Sequence, residues 1–162
     1  MEPIKHILSE RKTPAHMSVF ESHNQAVIVF ITVCADKKKH ILAKPEVHDL
    51  LKTVWLQADA WMVGRYIIMP DHIHLFCAPG RQEYPSLKKW VQYWKALASK
   101  GWLWPEDQPI WQKSFWDTKL RRGENYSSKW EYVRQNPVRA GLCATPEEWL
   151  YQGDMNVLQW HD

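Results

Sequence analysis

Two histidines, His72 and His74, flank one aliphatic residue directly after a strand-like run and a Pro-Asp pair. On an extended chain alternate side chains share a face, so both imidazoles would point to one side while Ile73 and Leu75 point into a core. Imidazole nitrogens are common ligands of divalent metals. The spacing therefore predicts a pair of imidazole ligands for a metal ion, although two surface polar residues on a strand would show the same pattern.

A metal site requires more ligands than two imidazoles. A third alternate histidine would suit a hydrolase of the histidine-triad type, but position 76 is Phe. Phe76 and Cys77 also exclude a metallo-hydrolase with a His-x-His-x-Asp-His motif. Asp71 is adjacent, yet an aspartate that follows proline is typical of a turn. A further ligand is therefore expected from a distant part of the chain.

The last predicted helix offers such a ligand. Tyr132 and Asn136 are four residues apart and share a helix face. If that face meets the histidine strand, the amide oxygen of Asn136 could complete the metal site, and Tyr132 could act beside it as a nucleophile. On the residues alone, a packing role for Tyr132 and a cap or turn role for Asn136, which precedes Pro137, stay open.

Positive charge is concentrated around this helix. The chain has a net charge of +3, whereas residues 113–139 hold seven basic and three acidic residues, a balance of +4. Such a segment is either a solvated basic face or a surface that contacts phosphates. The basic residues are Lys113, Lys119, Arg121, Arg122, Lys129, Arg134 and Arg139.

The composition is that of one globular domain. The 162 residues are 45% hydrophobic and 24% charged, without an apolar stretch long enough to span a membrane or to form a signal peptide. Three scattered cysteines favour a reducing cytoplasm over a disulfide framework. Eleven tryptophans are unusual. Most should pack in a core, as expected for Trp90 and Trp94 on one helix face, and exposed ones could stack on unpaired bases.

The hydrophobic pattern predicts an α+β fold. A single domain over residues 1–162 would begin with an irregular arm (1–24) and end in a tail (144–162). The predicted elements are a strand at 27–34, a helix from Pro45 to about 61, strands at 62–69 and 72–77 joined by a turn, a helix at 86–101, a strand or extended segment within 110–120, a helix at 125–135 and a short helix near 145–149. This order indicates a ferredoxin-like antiparallel sheet with helices.

Three ordered motifs resemble a known family. Residues 66–75 are similar to the His-hydrophobic-His signature of single-strand tyrosine transposases, the HUH superfamily. Residues 111–117 resemble the next conserved segment of the REP-associated branch, and residues 132–142 resemble that branch's tyrosine helix with its Asn-Pro-Val-Arg-Ala-Gly-Leu ending. The resemblance covers roughly residues 25–143. Thr118 departs from it where many relatives have His, and Asp71 departs where Asn is frequent.

The resemblance implies a ferredoxin-like or RRM-like sheet and a one-tyrosine enzyme that nicks and joins single-stranded DNA beside hairpins of repetitive extragenic palindromes. His72 and His74 match the metal-binding histidines, Tyr132 matches the nucleophile and Asn136 matches the position that completes the metal site. Mg²⁺ or Mn²⁺ is the expected ion. The seven basic residues are candidate phosphate contacts by their charge, and about half of them are expected to be ordinary surface charges. The REP-associated branch implies a monomer, whereas some related transposases exchange the tyrosine helix between subunits, so a dimer stays open. The resemblance also implies a cytoplasmic protein that is associated with the nucleoid when it is bound to DNA.

Two other functions are compatible with the same residues. A DNA-hairpin binding protein derived from a transposase would bind the same substrate without cutting it. A metal-dependent phosphohydrolase would use water, with Tyr132 in a structural role. The simultaneous presence of His72, His74, Tyr132 and Asn136 favours the nicking and joining enzyme, because a protein that only binds DNA does not need all four.

Overall fold

The computed structural model describes residues 27–120 and 126–158 of the chain. The strands are β1 (Val29–Cys34), β2 (Trp61–Ile68), β3 (His72–Pro79), β4 (Trp116–Lys119) and β5 (Gln152–Asp154), and the helices are α1 (Pro45–Gln57), α2 (Leu87–Lys100), α3 (Tyr126–Val133) and α4 (Asn136–Arg139). Short 3₁₀ turns occupy Asp36–Lys38, Pro105–Asp107 and Pro146–Glu148. The predicted arm at residues 1–24 lies outside the described residues.

The five strands form one antiparallel sheet in the order β4-β1-β3-β2-β5. The first four strands and the first two helices succeed one another as strand, helix, strand, strand, helix, strand, which is the ferredoxin-like arrangement. Strands β2 and β3 are joined by the predicted turn at Pro70 and Asp71, and a bulge between Val63 and Tyr66 shifts their register. The predicted α+β class and antiparallel sheet are therefore confirmed.

Helices α1 and α2 pack on one face of the sheet. Proline opens α1 at its first turn, and Ser86 caps α2 by accepting a hydrogen bond from the Lys89 backbone N–H. The predicted neighbours Trp90 and Trp94 are both buried in the resulting core. The sheet contributes the alternate apolar residues of β1 and β3 to the same core, among them Ile73 and Leu75. This is the larger of the two layers that the sheet separates.

Helix α3 lies on the opposite face of the sheet. Its Tyr126, Trp130 and Val133 recur at the spacing of one helix face and pack on apolar side chains of the central strands. The ring of Tyr126 lies 4.7 Å from that of Phe76 on β3, and its hydroxyl accepts a hydrogen bond of 2.9 Å from the Arg65 backbone N–H. The tyrosine-bearing helix is thus fixed on the histidine side of the sheet.

The end of the chain differs from the sequence-based expectation. Helix α3 ends at Val133, before the predicted residue 135, and its predicted start at 125 lies outside the described residues. Asn136, which was expected to be non-helical before proline, instead opens α4. Proline is tolerated there because the backbone N–H groups of a helix's first turn have no intrahelical partner. Gly141 comes next with φ +73°, a left-handed conformation that glycine adopts readily after a helix.

Residues 144–158 are more ordered than a tail. The short helix expected near 145–149 is a 3₁₀ turn over Pro146–Glu148, and strand β5 then pairs with β2. This strand was not predicted, because Gln152–Asp154 holds no apolar residue and therefore shows no strand pattern. Across the two described stretches of the chain, no helix has the length and apolar character required to cross a bilayer.

Candidate metal and nucleophile site

The two histidines share one face of β3, as predicted. Their ring centroids are 4.6 Å apart and their planes cross at 74°. Ile73 and Leu75 point the other way and are fully buried. In the antiparallel register His74 lies opposite Thr32 and His72 lies opposite Cys34, both on β1. Strand alternation therefore places two imidazoles side by side on the face that α3 covers only in part.

Each imidazole is held through its Nδ1 atom. Nδ1 of His72 lies 2.6 Å from Oδ1 of Asp71, and Nδ1 of His74 lies 2.8 Å from Oγ1 of Thr32. Phe30 stacks on the His74 ring at 5.2 Å. Within the described part of the chain, neither Nε2 atom has a hydrogen-bond partner. Metal-binding histidines are oriented in this way, with one ring nitrogen hydrogen-bonded and the other available to the ion.

The site's electrostatics fit a metal ligand. Burial, and then the positive charges of His72, Lys129 and Lys38, lower the pKa of His74 to about 3. The imidazole is therefore neutral near neutral pH, as coordination requires. Burial acts to raise the pKa of the Asp71 carboxyl, but the hydrogen bond with His72 and nearby positive charges lower it on balance. A carboxylate thus lies beside His72.

Tyr132 and Asn136 are brought together by Arg139. The Tyr132 side chain is 67% exposed, and the Arg139 guanidinium lies 4.3 Å from the centre of its ring. Nη2 of Arg139 donates to the Tyr132 backbone carbonyl at 2.8 Å and also to Oδ1 of Asn136. Arg139 thus contacts both residues, and Tyr132, Asn136 and Arg139 are called the tyrosine group below.

Helix α3, which carries Tyr132, lies on the same side of the sheet as the histidine pair. Lys129, on α3, places its ammonium 5.1 Å from the ring centre of Phe30, which stacks on His74. In the described residues no hydrogen bond or ring contact links Tyr132 or Asn136 to either imidazole. The role of Asn136 as a metal ligand and that of Tyr132 as the nucleophile stay predictions.

Among the described residues, no further ligand of the usual kinds completes the pair. Residues 27–120 and 126–158 contain no group of three His, Cys, Asp or Glu side chains that could hold a metal ion. Cys34, Cys77 and Cys143 are free thiols, and the first two are buried. An amide such as that of Asn136, or oxygen atoms of a bound substrate and water, could supply the remaining coordination.

The predicted phosphate-binding cations divide into several environments. Lys113 is exposed, and Lys129 and Arg139 are the cations placed at the two parts of the site. Strand alternation directs Lys119 to the side of the sheet opposite the histidines, together with the buried Asp117. Arg121 and Arg122 lie outside the described residues.

Arg134 is engaged in an ion-pair network. Its guanidinium donates to Glu147 at 2.7 Å and to Glu131 at 3.0 Å. The hydrogen bond with Glu147, and then that with Glu131, raise the pKa of Arg134. The network ties α3 to the 3₁₀ turn that precedes β5. This structural role competes with the predicted contact between Arg134 and DNA.

Three residues at the site were not identified from the sequence. Thr32 and Asp71 orient the imidazoles, and Trp116 lies on the same face, opposite Thr32 in the register. Asp71 precedes His72 directly, so its carboxylate was visible as a neighbour, although it was interpreted as a turn residue. Thr32 and Trp116 show no comparable signal, because their positions depend on how three strands align.

No protein-family model matches the chain. Among curated proteins, it is 21% identical over 89 residues to the REP-associated tyrosine transposase of Escherichia coli (strain K12), an alignment that covers 55% of this chain and 52% of that protein. It is 25% identical over 96 residues to a Haemophilus influenzae protein assigned to the same group, covering 52% of this chain and 53% of the relative. The chain thus matches about half the length of these relatives.

A solved structure, described as a REP-associated tyrosine transposase bound to a REP hairpin, has the same fold. The TM-score is 0.64 at 17% identity, and the match covers 84% of this chain and 82% of that one. The resemblance predicted from the three motifs is therefore confirmed: in sequence and in fold, this chain is similar to the REP-associated tyrosine transposases.

Proposed function

We propose that this protein is a metal-dependent endonuclease and strand transferase that acts on single-stranded DNA beside hairpins through a 5′-phosphotyrosine intermediate. The observation that carries the proposal is the pair of strand-borne imidazoles with both Nδ1 atoms anchored and both Nε2 atoms available. A tyrosine helix packed on the same face of the sheet adds to it. The similarity to REP-associated tyrosine transposases supports the same class of activity.

In this proposal His72, His74 and Asn136 hold Mg²⁺ or Mn²⁺. The bound ion would supply Lewis-acid polarisation of a phosphodiester oxygen. The protein's own contribution is to keep His74 neutral and both imidazoles oriented. Thr32 and Asp71 fix the rings, and the burial of His74 disfavours the protonated form that could not coordinate. Asn136 must exchange its contact with Arg139 for the ion.

Tyr132 is the proposed nucleophile. Its Oη would attack the phosphorus of a phosphodiester and release the phenolic proton to solvent. The bond from phosphorus to the 3′ oxygen breaks, and that oxygen takes up a proton to leave a free 3′-hydroxyl. The 5′-phosphotyrosine link preserves one phosphodiester bond, so a 3′-hydroxyl can reverse the step and join strands. The Arg139 guanidinium, 4.3 Å from the centre of the Tyr132 ring, could contact a phosphate that is presented to the phenol.

The proposed substrate is a DNA hairpin with an unpaired flank, by analogy with the hairpin bound to the solved structure of similar fold. Lys129 and Arg139 would contact phosphates near the site, with Lys113 as a more distant contact. The helix that carries Tyr132 and the histidine pair lie on one side of the same sheet, and we propose a monomer. We expect a cytoplasmic protein that is associated with the nucleoid when it is bound to DNA.

A second candidate is a DNA-hairpin binding protein that does not cleave. The observation in its favour is that Arg139 occupies the amide oxygen of Asn136, which the metal would need. Such a protein would use the same basic face and would leave the DNA intact.

One gel experiment separates these functions. Labelled hairpin DNA with single-stranded flanks is incubated with the protein and Mn²⁺ and resolved under denaturing conditions. We expect a covalent protein–DNA adduct that disappears in Tyr132→Phe and persists in Tyr93→Phe, a matched control because Tyr93 is 53% exposed on α2 at the opposite face. Cleavage that survives Tyr132→Phe would indicate a phosphohydrolase that uses water. Tight binding without cleavage would indicate the binding protein.

A further inference from the structure

Trp116 differs from the other tryptophans of this chain. Its side chain is 46% exposed, whereas the other tryptophans of the described residues are buried or partly buried. Most of them form the core under α1 and α2, and their N–H groups commonly donate to backbone carbonyls, as Trp90 donates to Ala58. The half-exposed indole of Trp116 lies outside this core. Its exposure therefore indicates a role other than core packing.

The sheet register places Trp116 in line with the metal-binding pair. Trp116 on the edge strand β4 lies opposite Thr32 on β1, and Thr32 lies opposite His74 on β3. Residues paired in this way project from the same side of the sheet, so the indole and the imidazole share a face. Neighbouring strands are about 4.8 Å apart, which puts the two backbone positions about 10 Å from each other. A base in the nucleotide next to a phosphate at His74 can bridge that distance.

The surroundings of Trp116 suit a nucleic acid strand. Thr118, the next residue of β4 on this face, lies opposite Phe30, and Phe30 carries the Lys129 ammonium above its ring. The Lys129 ammonium and the two imidazoles therefore lie beside the aromatic rings of Phe30 and Trp116. A flat indole beside the site that is proposed to bind a phosphate can stack on any base, since every base has a π face.

We propose that Trp116 is a binding residue that stacks on an unpaired nucleobase next to the phosphate held at His72 and His74. This stacking would set where the single strand crosses the site and hence which phosphate is presented to Tyr132. The inference rests on the proposed DNA-binding function and does not require cleavage. Edge strand β4 would thereby supply the base-stacking residue at one side of the site.

The test uses binding in EDTA, so that it is independent of catalysis. Fluorescently labelled hairpins with a single-stranded flank are titrated with the full chain, and a second set carries one abasic nucleotide at successive flank positions. We expect Trp116→Ala to weaken binding of the intact flank by roughly tenfold to a hundredfold. Trp116→Phe should recover most of it. For the wild type, an abasic nucleotide at one flank position should weaken binding as much as Trp116→Ala does. In Trp116→Ala, the same abasic position should weaken binding little further.

Control variants distinguish the outcomes. Tyr93→Ala, on α2 behind the sheet, should bind as the wild type does. Thermal unfolding of each variant reports whether the fold is retained, and Trp116→Phe keeps the test valid if the alanine variant unfolds. Unchanged affinity in Trp116→Ala, or an equal effect of every abasic position, would overturn this inference alone. Absence of hairpin binding by the wild type would overturn both this inference and the proposed function.

Discussion

At the scale of single residues, the site depends on the atoms that hold the imidazoles. A histidine pair on a strand is a weak signal by itself, because surface histidines can show the same spacing. The hydrogen bonds from Nδ1 to Thr32 and Asp71 distinguish this pair. They fix the ring orientation and leave the Nε2 atoms for a ligand. The partners, more than the histidines themselves, therefore support a metal site.

Removal of the Thr32 hydroxyl should weaken metal binding. Thr32→Val preserves the shape of the side chain but leaves His74 without its orienting partner, and such losses reduce metal affinity by about 10- to 100-fold. Mn²⁺ titration followed by calorimetry measures the effect. Thr53→Val is the matched control, since the Thr53 hydroxyl bonds to the Asp49 carbonyl of its own helix α1. Equal Mn²⁺ affinity for Thr32→Val and the wild type would count against this role.

The partly buried imidazole of His74 should make the metal-free protein sensitive to acid. Its pKa is about 3 in the fold and about 6.5 in an unfolded chain, so below pH 6.5 the unfolded state binds more protons. Stability should therefore fall as the pH decreases from about 6.5 towards 3, by up to about 1.4 kcal/mol per pH unit from this group.

Denaturant unfolding in EDTA at successive pH values measures this dependence. We expect a shallower slope in His74→Asn than in the wild type. Some dependence should remain in the variant, because burial also lowers the pKa of His48. An identical slope in the two proteins would contradict the assignment of the acid sensitivity to His74.

At the scale of elements, the site is assembled on the sheet from segments that are far apart in the sequence. Strands β1 and β3 carry the histidine pair and its partners, and α3 supplies the tyrosine. The unpredicted strand β5 anchors the segment after α4, because Trp149 donates to the Ile68 carbonyl and the Arg134 network reaches Glu147. The segment that follows the tyrosine helix is therefore held against the sheet next to an edge strand of only three residues.

Strand β5 should tolerate no side chain at Gly153. A Cβ atom there would lie 2.6 Å from the Tyr66 hydroxyl, which is itself held 2.6 Å from Nε2 of His48. We expect Gly153→Ala to destabilise the fold by about 1–3 kcal/mol. Chemical denaturation of Gly153→Ala, Tyr66→Phe and the double variant forms a mutant cycle. The double variant should be more stable than additivity predicts, because it lacks the hydroxyl that the methyl group meets. Strict additivity would argue against this clash.

At the scale of the whole molecule, one face of the sheet forms the core and the other carries the candidate site. One face is covered by α1 and α2 and holds most of the buried tryptophans, so it stabilises the fold. The other is covered in part by α3 and presents the histidines, Trp116, Lys129 and the tyrosine group. Positive charge at such a face would attract the DNA backbone, and each neutralised phosphate releases counterions.

Replacing a lysine on each face of the sheet should affect the salt dependence of hairpin binding differently. Lys129→Gln should reduce the slope of log affinity against log salt concentration by about 0.7–0.9, which corresponds to one lost phosphate contact. Lys119→Gln is the matched control, because strand alternation directs that lysine to the opposite side of the sheet. Fluorescence anisotropy in EDTA between low and moderate salt measures both slopes. A larger change in Lys119→Gln than in Lys129→Gln would reverse the assigned DNA face.

The sequence by itself determined the features that depend on short-range periodicity. Alternation around Ile73 predicted the face of the histidines, and helical spacing predicted Trp90 and Trp94 as neighbours, because local backbone geometry fixes both. The motif order also predicted the family resemblance. Tertiary structure alone decided the partnership of Thr32 with His74, the exposure of Trp116 and the pairing of β5 with β2. Each of these depends on strand register between residues far apart in the chain, which local propensity does not encode.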